Sequence, residues 1–302
     1  MWPDIIEAMR LVLPVGKGGS DPSKDPSQWA LLPELCCQAA GGDPDATKEV
    51  SAAWLLLYIA AHIVDDVEDG DLTDDVRTLG GASATINVAN GLFLSASLFL
   101  NKLHEKKQTN KLASQISTDF YKTILLMSSG QHVDITNQQM SLEQWWQVAE
   151  AKSGSFFSLA CRCGAQLGID DPEKIKGYSD YGLHLGVMLQ IIDDLEDLQQ
   201  LFASEENHQP INIQKSLAMA YAFDVLPETD REKLKEWTNA TPCEAYMVDG
   251  IVELLNRCGA GLYMLTEVER HFHLGLKSLE IACPSSPAGD KLAVWINALK
   301  LH

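Results

Sequence analysis

Apolar residues recur at intervals of three and four along nearly the whole chain, while strict alternation is scarce. This pattern predicts helices near residues 3–13, 27–40, 47–70, 84–104, 109–130, 141–168, 172–202, 212–224, 229–238, 242–276 and 286–299. Several starts carry capping chemistry. Ser141 with Gln144, and Thr241-Pro242 with Glu244, read as capping boxes, and Asp171-Pro172 as an N-cap followed by proline at the first helical position. Breakers at Gly41-Gly42-Asp43-Pro44 and from Cys283 to Pro287 separate helices. Residues 15–28 (VGKGGSDPSKDPSQ) form the single low-complexity segment and predict a mobile loop. No stretch reads as a linker. The expectation is therefore one all-α domain over residues 1–302, a helical bundle whose residues 1–28 are partly mobile.

Two helices end or interrupt their apolar runs with the same acidic pentad. Asp65-Asp66-Val67-Glu68-Asp69 follows YIAAHIV, and Asp193-Asp194-Leu195-Glu196-Asp197 follows GVMLQII. Carboxylates at the end of an apolar helix face need a cation nearby to offset desolvation. Residues i and i+4 share a helix face, so Asp65 pairs with Asp69 and Asp193 with Asp197, with Asp66 and Asp194 one step round. Such oxygen-rich clusters suit hard divalent cations such as Mg²⁺, and two of them predict two metal-binding walls. Glu68 and Glu196 point off that face and read as solvent-facing. His62 and His132 read as packed or supporting histidines, and the Trp145-Trp146 pair as packing.

Composition narrows the field. The formal net charge of −19 excludes a chain built to neutralise nucleic-acid phosphates. An acidic protein can still hold a phosphorylated small molecule through bridging metal ions. The seven cysteines show no zinc-site spacing and do not fit a secreted disulfide framework, so free thiols and a cytoplasmic location are expected. The start, MWPDIIEAMR, lacks signal-peptide character. Ala52 to Val64, the longest apolar stretch, is too short to cross a bilayer, so no transmembrane segment is expected.

The order of motifs resembles the trans-isoprenyl diphosphate synthase (polyprenyl synthetase) family of the isoprenoid synthase superfamily. The two pentads, the second preceded by Gln190, match its two aspartate-rich motifs. Between them Gly130-Gln131-His132-Val133-Asp134 is similar to its "GQ..D" segment, and Lys152-Ser153-Gly154 to its "K-T-G" element. The resemblance implies an all-α isoprenoid synthase bundle, a homodimer, and several Mg²⁺ ions gripping an allylic prenyl diphosphate. Asp65, Asp66, Asp69, Asp193, Asp194 and Asp197 would carry the metal. Lys152 would bind the diphosphate, and Gln131 and Gln190 would contact substrate or its bound waters.

The chain departs from chain-elongating members where they bind isopentenyl diphosphate. Their "GGKR.R" segment corresponds to Lys24-Asp25-Pro26-Ser27-Gln28-Trp29, in which Pro26, Ser27 and Trp29 replace the expected lysine and arginines. "RRG.PT" is reduced to Arg77-Thr78-Leu79-Gly80-Gly81, and the basic segment after the second motif to Lys215 as a remnant. Each lost charge-assisted hydrogen bond costs roughly 1.5–3 kcal/mol. Three readings follow. The first is a prenyltransferase alkylating another acceptor, such as a peptide Trp. Quorum-sensing pheromone prenyltransferases share this pattern, with a "GQ.DDITN" stretch resembling Gln131 to Asn137. The others are a terpene cyclase derived from a synthase, and a non-catalytic partner subunit. The resemblance also places Ala60 and Ala61 at the pocket floor, where small residues imply a chain of farnesyl length or longer.

Overall fold

A computed structural model describes residues 3–13, 26–70, 73–203, 213–240, 244–284 and 286–300. In chain order the α-helices are α1 (Pro3–Val12), α2 (Pro26–Trp29), α3 (Leu32–Ala39), α4 (Lys48–Glu68), α5 (Asp74–Thr78), α6 (Ala82–Asn101), α7 (Asn110–Thr136) and α8 (Leu142–Ala149). They continue as α9 (Ser155–Gly168), α10 (Pro172–Ala203), α11 (Leu217–Val225), α12 (Glu228–Asn239), α13 (Ala245–Cys258), α14 (Ala260–Ala282) and α15 (Pro287–Ala298). The described residues contain no strand, as the helical periodicity predicts.

Local chemistry explains most boundaries. The capping box at Ser141 and Gln144 is formed, and Asp171 Oδ1 accepts from the backbone N–H of Glu173 and Lys174. The expected box at Thr241-Pro242 lies outside the described residues, as does most of the 15–28 loop. Three expectations change. The predicted 242–276 helix is two helices, because Gly259 adopts φ +76° and closes α13 with a left-handed C-cap. The 27–40 helix is broken between α2 and α3. The 141–168 helix is interrupted by a π-helical turn over Glu150–Gly154.

The packing falls into two compact units assembled from separated stretches of chain. One comprises Met1–Thr123, Ser158–Gly182 and Ser278–Trp295, and the other Ile124–Phe157, Leu183–Lys277 and Ile296–His302. In the first, α4 packs along α6 and buries Val50, Ala53, Trp54, Leu57, Ala60 and Ile63 at helical spacing. Pro44–Glu68 and Ala82–Glu105, which contain these helices, are long and apolar enough to cross a membrane by length and composition. Both windows are longer than Ala52–Val64 because small and weakly polar residues extend them. Core helices pass the same test, and α4 is such a helix. The six described cysteines are unpaired, and Cys36, Cys37, Cys161 and Cys163 are buried. Burial pushes the Cys37 thiol up to about 11.

Candidate active site

In the first unit, α4 delivers Asp65 and Asp66 on its last turn. Asp69 caps the helix, its N–H reaching Asp65 O at 2.9 Å, and Gly70 at φ +79° turns the chain away. The acidic group therefore lies at the negative end of the helix dipole, where a cation is favoured and further carboxylates are not. Thr73 was not singled out in the sequence. Its hydroxyl donates to Asp66 Oδ2 at 2.9 Å and accepts from the Val76 N–H, so one threonine both orients Asp66 and caps α5. The signal for it was a threonine before the Asp74-Asp75 pair. Arg77, on α5, is exposed and pairs with exposed Asp74 at 3.7 Å.

The two alanines expected at a pocket floor differ. Ala60 is fully buried in a cluster with Val12, Ile59, Ile63, Val88, Ala89 and Leu92, whereas Ala61 keeps partial exposure. Of the pair, Ala61 is the one with surface to offer a ligand. His62, expected to be packed, is exposed beside Tyr58 because it lies off the buried stripe of α4, and His132 is likewise exposed on α7. Trp29, at the end of the segment expected to have lost its basic residues, is buried edge-on against Trp295, ring centroids 5.5 Å apart.

The second unit gathers more of the expected residues. Gly130, on α7, has no room for a side chain: a Cβ there would come within 2.9 Å of Ala151 Cβ and 3.2 Å of Lys152 Cγ. A Cβ on Gly186, on α10, would overlap the Ser153 carbonyl. These two glycines let α7 and α10 close on the π-helical turn, a feature that recurs at functional sites. Lys152 projects from that turn, and its ammonium lies 2.9 Å from Asp134 Oδ2. Lys215 Nζ lies 3.6 Å from the other oxygen of the same carboxylate. Asp134 thus holds two half-buried ammonium groups. Ser153 Oγ donates to Gln190 Oε1 at 2.8 Å. Among the described residues, neither the nitrogen nor the oxygen of the buried Gln131 amide has a hydrogen-bond partner, an expensive condition for a polar group without a ligand.

In the second pentad, Asp194 is held by two donors. One oxygen, Oδ2, accepts from the Leu217 N–H at 2.6 Å and from the Trp145 indole N–H at 3.1 Å. Leu217 is the first residue of α11, so the carboxylate also faces a helix N-terminus. The residue keeps some surface, but its carboxyl is enclosed by protein, and burial pushes its pKa up to about 7. The hydrogen bonds from Leu217 and Trp145 pull it down, and the charges of Asp193 and Asp197 push it further up. Trp145 is buried as its packing reading expected, and its hydrogen bond to Asp194 is what the sequence did not show.

Among the described residues, no three His, Cys, Asp or Glu side chains already converge into a metal cage. Mg²⁺ is ordinarily held by one or two carboxylates, waters and substrate phosphates rather than by an all-protein cage. The donor set of Asp193, Asp194 and Asp197, hard oxygens of like charge within one helical turn, fits that chemistry.

The polyprenyl synthetase family model matches residues 30–255. The chain belongs to the polyprenyl synthetase family. It is 24% identical over 272 residues to the short chain isoprenyl diphosphate synthase of Methanothermobacter thermautotrophicus, covering 86% of this chain and 81% of that one. It is 21% identical over 273 residues to the octaprenyl diphosphate synthase of Escherichia coli, covering 87% and 81%. Among solved structures, geranylgeranyl pyrophosphate synthetase from Pyrococcus horikoshii superposes with a TM-score of 0.83 at 20% identity, covering 99% of this chain and 90% of that chain. A polyprenyl synthetase from Streptomyces coelicolor A3(2) gives 0.77 at 20% identity, covering 99% and 96%. The fold is the all-α isoprenoid synthase bundle.

Proposed function

We propose that this member of the family is a Mg²⁺-dependent prenyltransferase that ionises an allylic prenyl diphosphate and passes the prenyl group to an acceptor other than isopentenyl diphosphate. The observation that carries the ionising half is the pair of ammonium groups, Lys152 and Lys215, gathered on Asp134. Breaking the allylic carbon–oxygen bond leaves the electron pair on diphosphate, and preorganised cations stabilise that charge as it develops. Lys152, set by the π-helical turn, is placed to meet the leaving oxygens, with Lys215 as a second ammonium. Asp134 aims both ammonium groups while substrate is absent. Gln131 and Gln190 offer amide contacts to diphosphate oxygens or their waters. Asp65, Asp66 and Asp69, and separately Asp193, Asp194 and Asp197, would hold Mg²⁺, which supplies the remaining positive charge that a departing diphosphate requires.

The acceptor half of the proposal rests on Trp29. A buried indole packed on Trp295 takes a place where a chain-elongating enzyme would set a guanidinium toward isopentenyl diphosphate. A nucleophile carried by another molecule, such as a peptide Trp, would then capture the allylic carbon and lose a proton to restore neutrality. Exposed Ile86, Leu94 and Leu98 on α6 support the expected homodimer through that helix. The test is direct. The protein is incubated with Mg²⁺ and prenyl diphosphates of several lengths, with and without isopentenyl diphosphate, and diphosphate release and products are measured. Release without elongation supports the proposal, and efficient elongation at micromolar isopentenyl diphosphate overturns it.

A further inference from the structure

We infer that Trp145 is a positioning residue for the second aspartate motif, setting Asp194 to receive its cation before any cation arrives. The inference rests on the function proposed above. Three observations carry it. The Trp145 indole is buried, yet its one polar atom is spent on Asp194 Oδ2 at 3.1 Å. The Leu217 N–H takes the same oxygen at 2.6 Å. Both donors converge on Oδ2, which fixes the rotation of the carboxyl and leaves Oδ1 as the oxygen to be committed to a ligand. An indole N–H donates only, so this contact cannot reverse when the carboxyl changes state.

The geometry around the indole explains why a tryptophan serves here. Trp145 meets Trp146 edge-on with centroids 4.9 Å apart, and Trp146 stacks on His271 at 5.5 Å and 9°. The Arg270 guanidinium lies over the Trp146 ring, 5.5 Å from its centroid. This stack leaves the Trp145 ring little freedom to turn, and the donor is accordingly stiff. The chain segment supplying the second donor is tied down as well. Two residues before Leu217, Lys215 pairs with Asp134, and Ser216 caps α11 by accepting from the Met219 N–H. Trp145 and the 215–217 segment thus hold one carboxyl oxygen from two directions. Partners that orient a metal-binding side chain typically change metal affinity by about 10- to 100-fold when removed.

The test uses Trp145→Phe, which keeps most of the ring and deletes the N–H, and Trp146→Phe as a packing control that does not touch Asp194. Leu217→Pro provides a second route. Proline is tolerated at the first helical position, the preceding Ser216 is already extended at ψ 160°, and only the N–H to Asp194 is deleted from the backbone. Binding of inorganic diphosphate is titrated by calorimetry over a range of Mg²⁺ concentrations, alongside kcat, KM and the thermal midpoint in EDTA. We expect W145F and L217P each to raise the Mg²⁺ needed for half-saturation by about 10-fold or more, with W146F, which only loosens the packing behind the donor, raising it by clearly less. Folding in EDTA should be retained in W145F, and kcat at saturating Mg²⁺ should recover toward wild type. A wild-type Mg²⁺ requirement in a folded W145F overturns the inference alone, as does an equal shift in W146F. Absence of Mg²⁺-dependent diphosphate binding in the wild-type protein overturns the proposed function and takes this inference with it.

Discussion

The two acidic pentads share four of five residues and the same helical phase, yet the chain treats them differently. The first closes α4: Asp69 is exposed, Gly70 turns the backbone, and Asp66 accepts from the Thr73 hydroxyl. The second lies inside the 32-residue α10, and Asp194 is gripped by an indole and a helix N-terminus. Nearly identical residues therefore sit once at a helix end and once within a helix, where one carboxyl is enclosed. A cation arriving at the first relieves repulsion at a helix C-terminus. A cation arriving at the second relieves a carboxyl that burial has made costly to ionise.

The largest effects should come from removing either pentad's chemistry. Asp65→Ala and Asp194→Ala are each expected to lower diphosphate release by about 10²–10³-fold or more, in line with deleting one preorganised stabiliser of transition-state charge. Near-normal turnover in either would end the metal assignment for that pentad. Lys152→Ala should fall in the same range. Lys215→Ala should cost less, because its ammonium is more exposed and stands 3.6 Å from Asp134 rather than 2.9 Å. Equal losses for the two lysines would show that the departing diphosphate uses both alike.

Stability separates the pentads next. The Asp194 carboxyl titrates at about 7 in the folded chain and near 4 when unfolded. Below about pH 4 both states are protonated, and the group contributes nothing. Between about 4 and 7 the folded state keeps a proton that the unfolded chain has released, so stability falls as pH rises, and the loss persists above 7. Asp194→Asn keeps an acceptor for Trp145 and Leu217 but removes the charge. In EDTA at pH 7.5 it should stabilise the protein by on the order of 2–4 kcal/mol, while at pH 4 the two proteins should be close. Urea unfolding at both pH values checks this, and added Mg²⁺ should stabilise the wild type and not the variant. Asp66→Asn, at a helix C-terminus, should gain no more than about 0.3–1 kcal/mol. Equal gains would erase the contrast. His271 acts in the opposite sense. Burial lowers it to about 3, with the neighbouring His184 and Arg270 contributing, so its stability contribution is lost as pH falls below about 6.5.

The comparison also marks what the sequence could and could not carry. Helical period, caps and both pentads were legible because each is a local pattern: Ser141 with Gln144, or Asp193 with Asp197, announces itself within one or two turns. The glycines at 130 and 186 were visible only as motif letters, since their reason is the close approach of α7 and α10 to the π-helical turn. Trp145 packs as the sequence suggests, buried against Trp146, but its hydrogen bond was not legible there. Its partner is Asp194, 49 positions away, and only tertiary packing brings them together. Ala60 and Ala61, equal in the sequence, diverge because one falls on the buried stripe of α4 and the other beside it. Ala61→Phe should therefore shift preference toward shorter prenyl diphosphates with little loss of folding. Ala60→Phe should overpack the core and cost about 1–3 kcal/mol.

The smallest effect is expected at Arg77, and it sharpens the contrast most economically. The residue occupies the five-residue α5 beside the first pentad, and its ion pair among the described residues, with Asp74 at 3.7 Å, is exposed on both sides. Exposed pairs contribute about 0–1 kcal/mol, so Arg77→Ala should change kcat/KM by less than about fivefold. Lys152, by contrast, is half-buried against Asp134 and aimed by the turn that bears it. Should Arg77→Ala lower kcat/KM by tenfold or more, the guanidinium contacts substrate directly, as the residual "RRG.PT" segment implied. The first pentad would then belong to a region that substrate itself assembles, whereas the second is assembled by the chain.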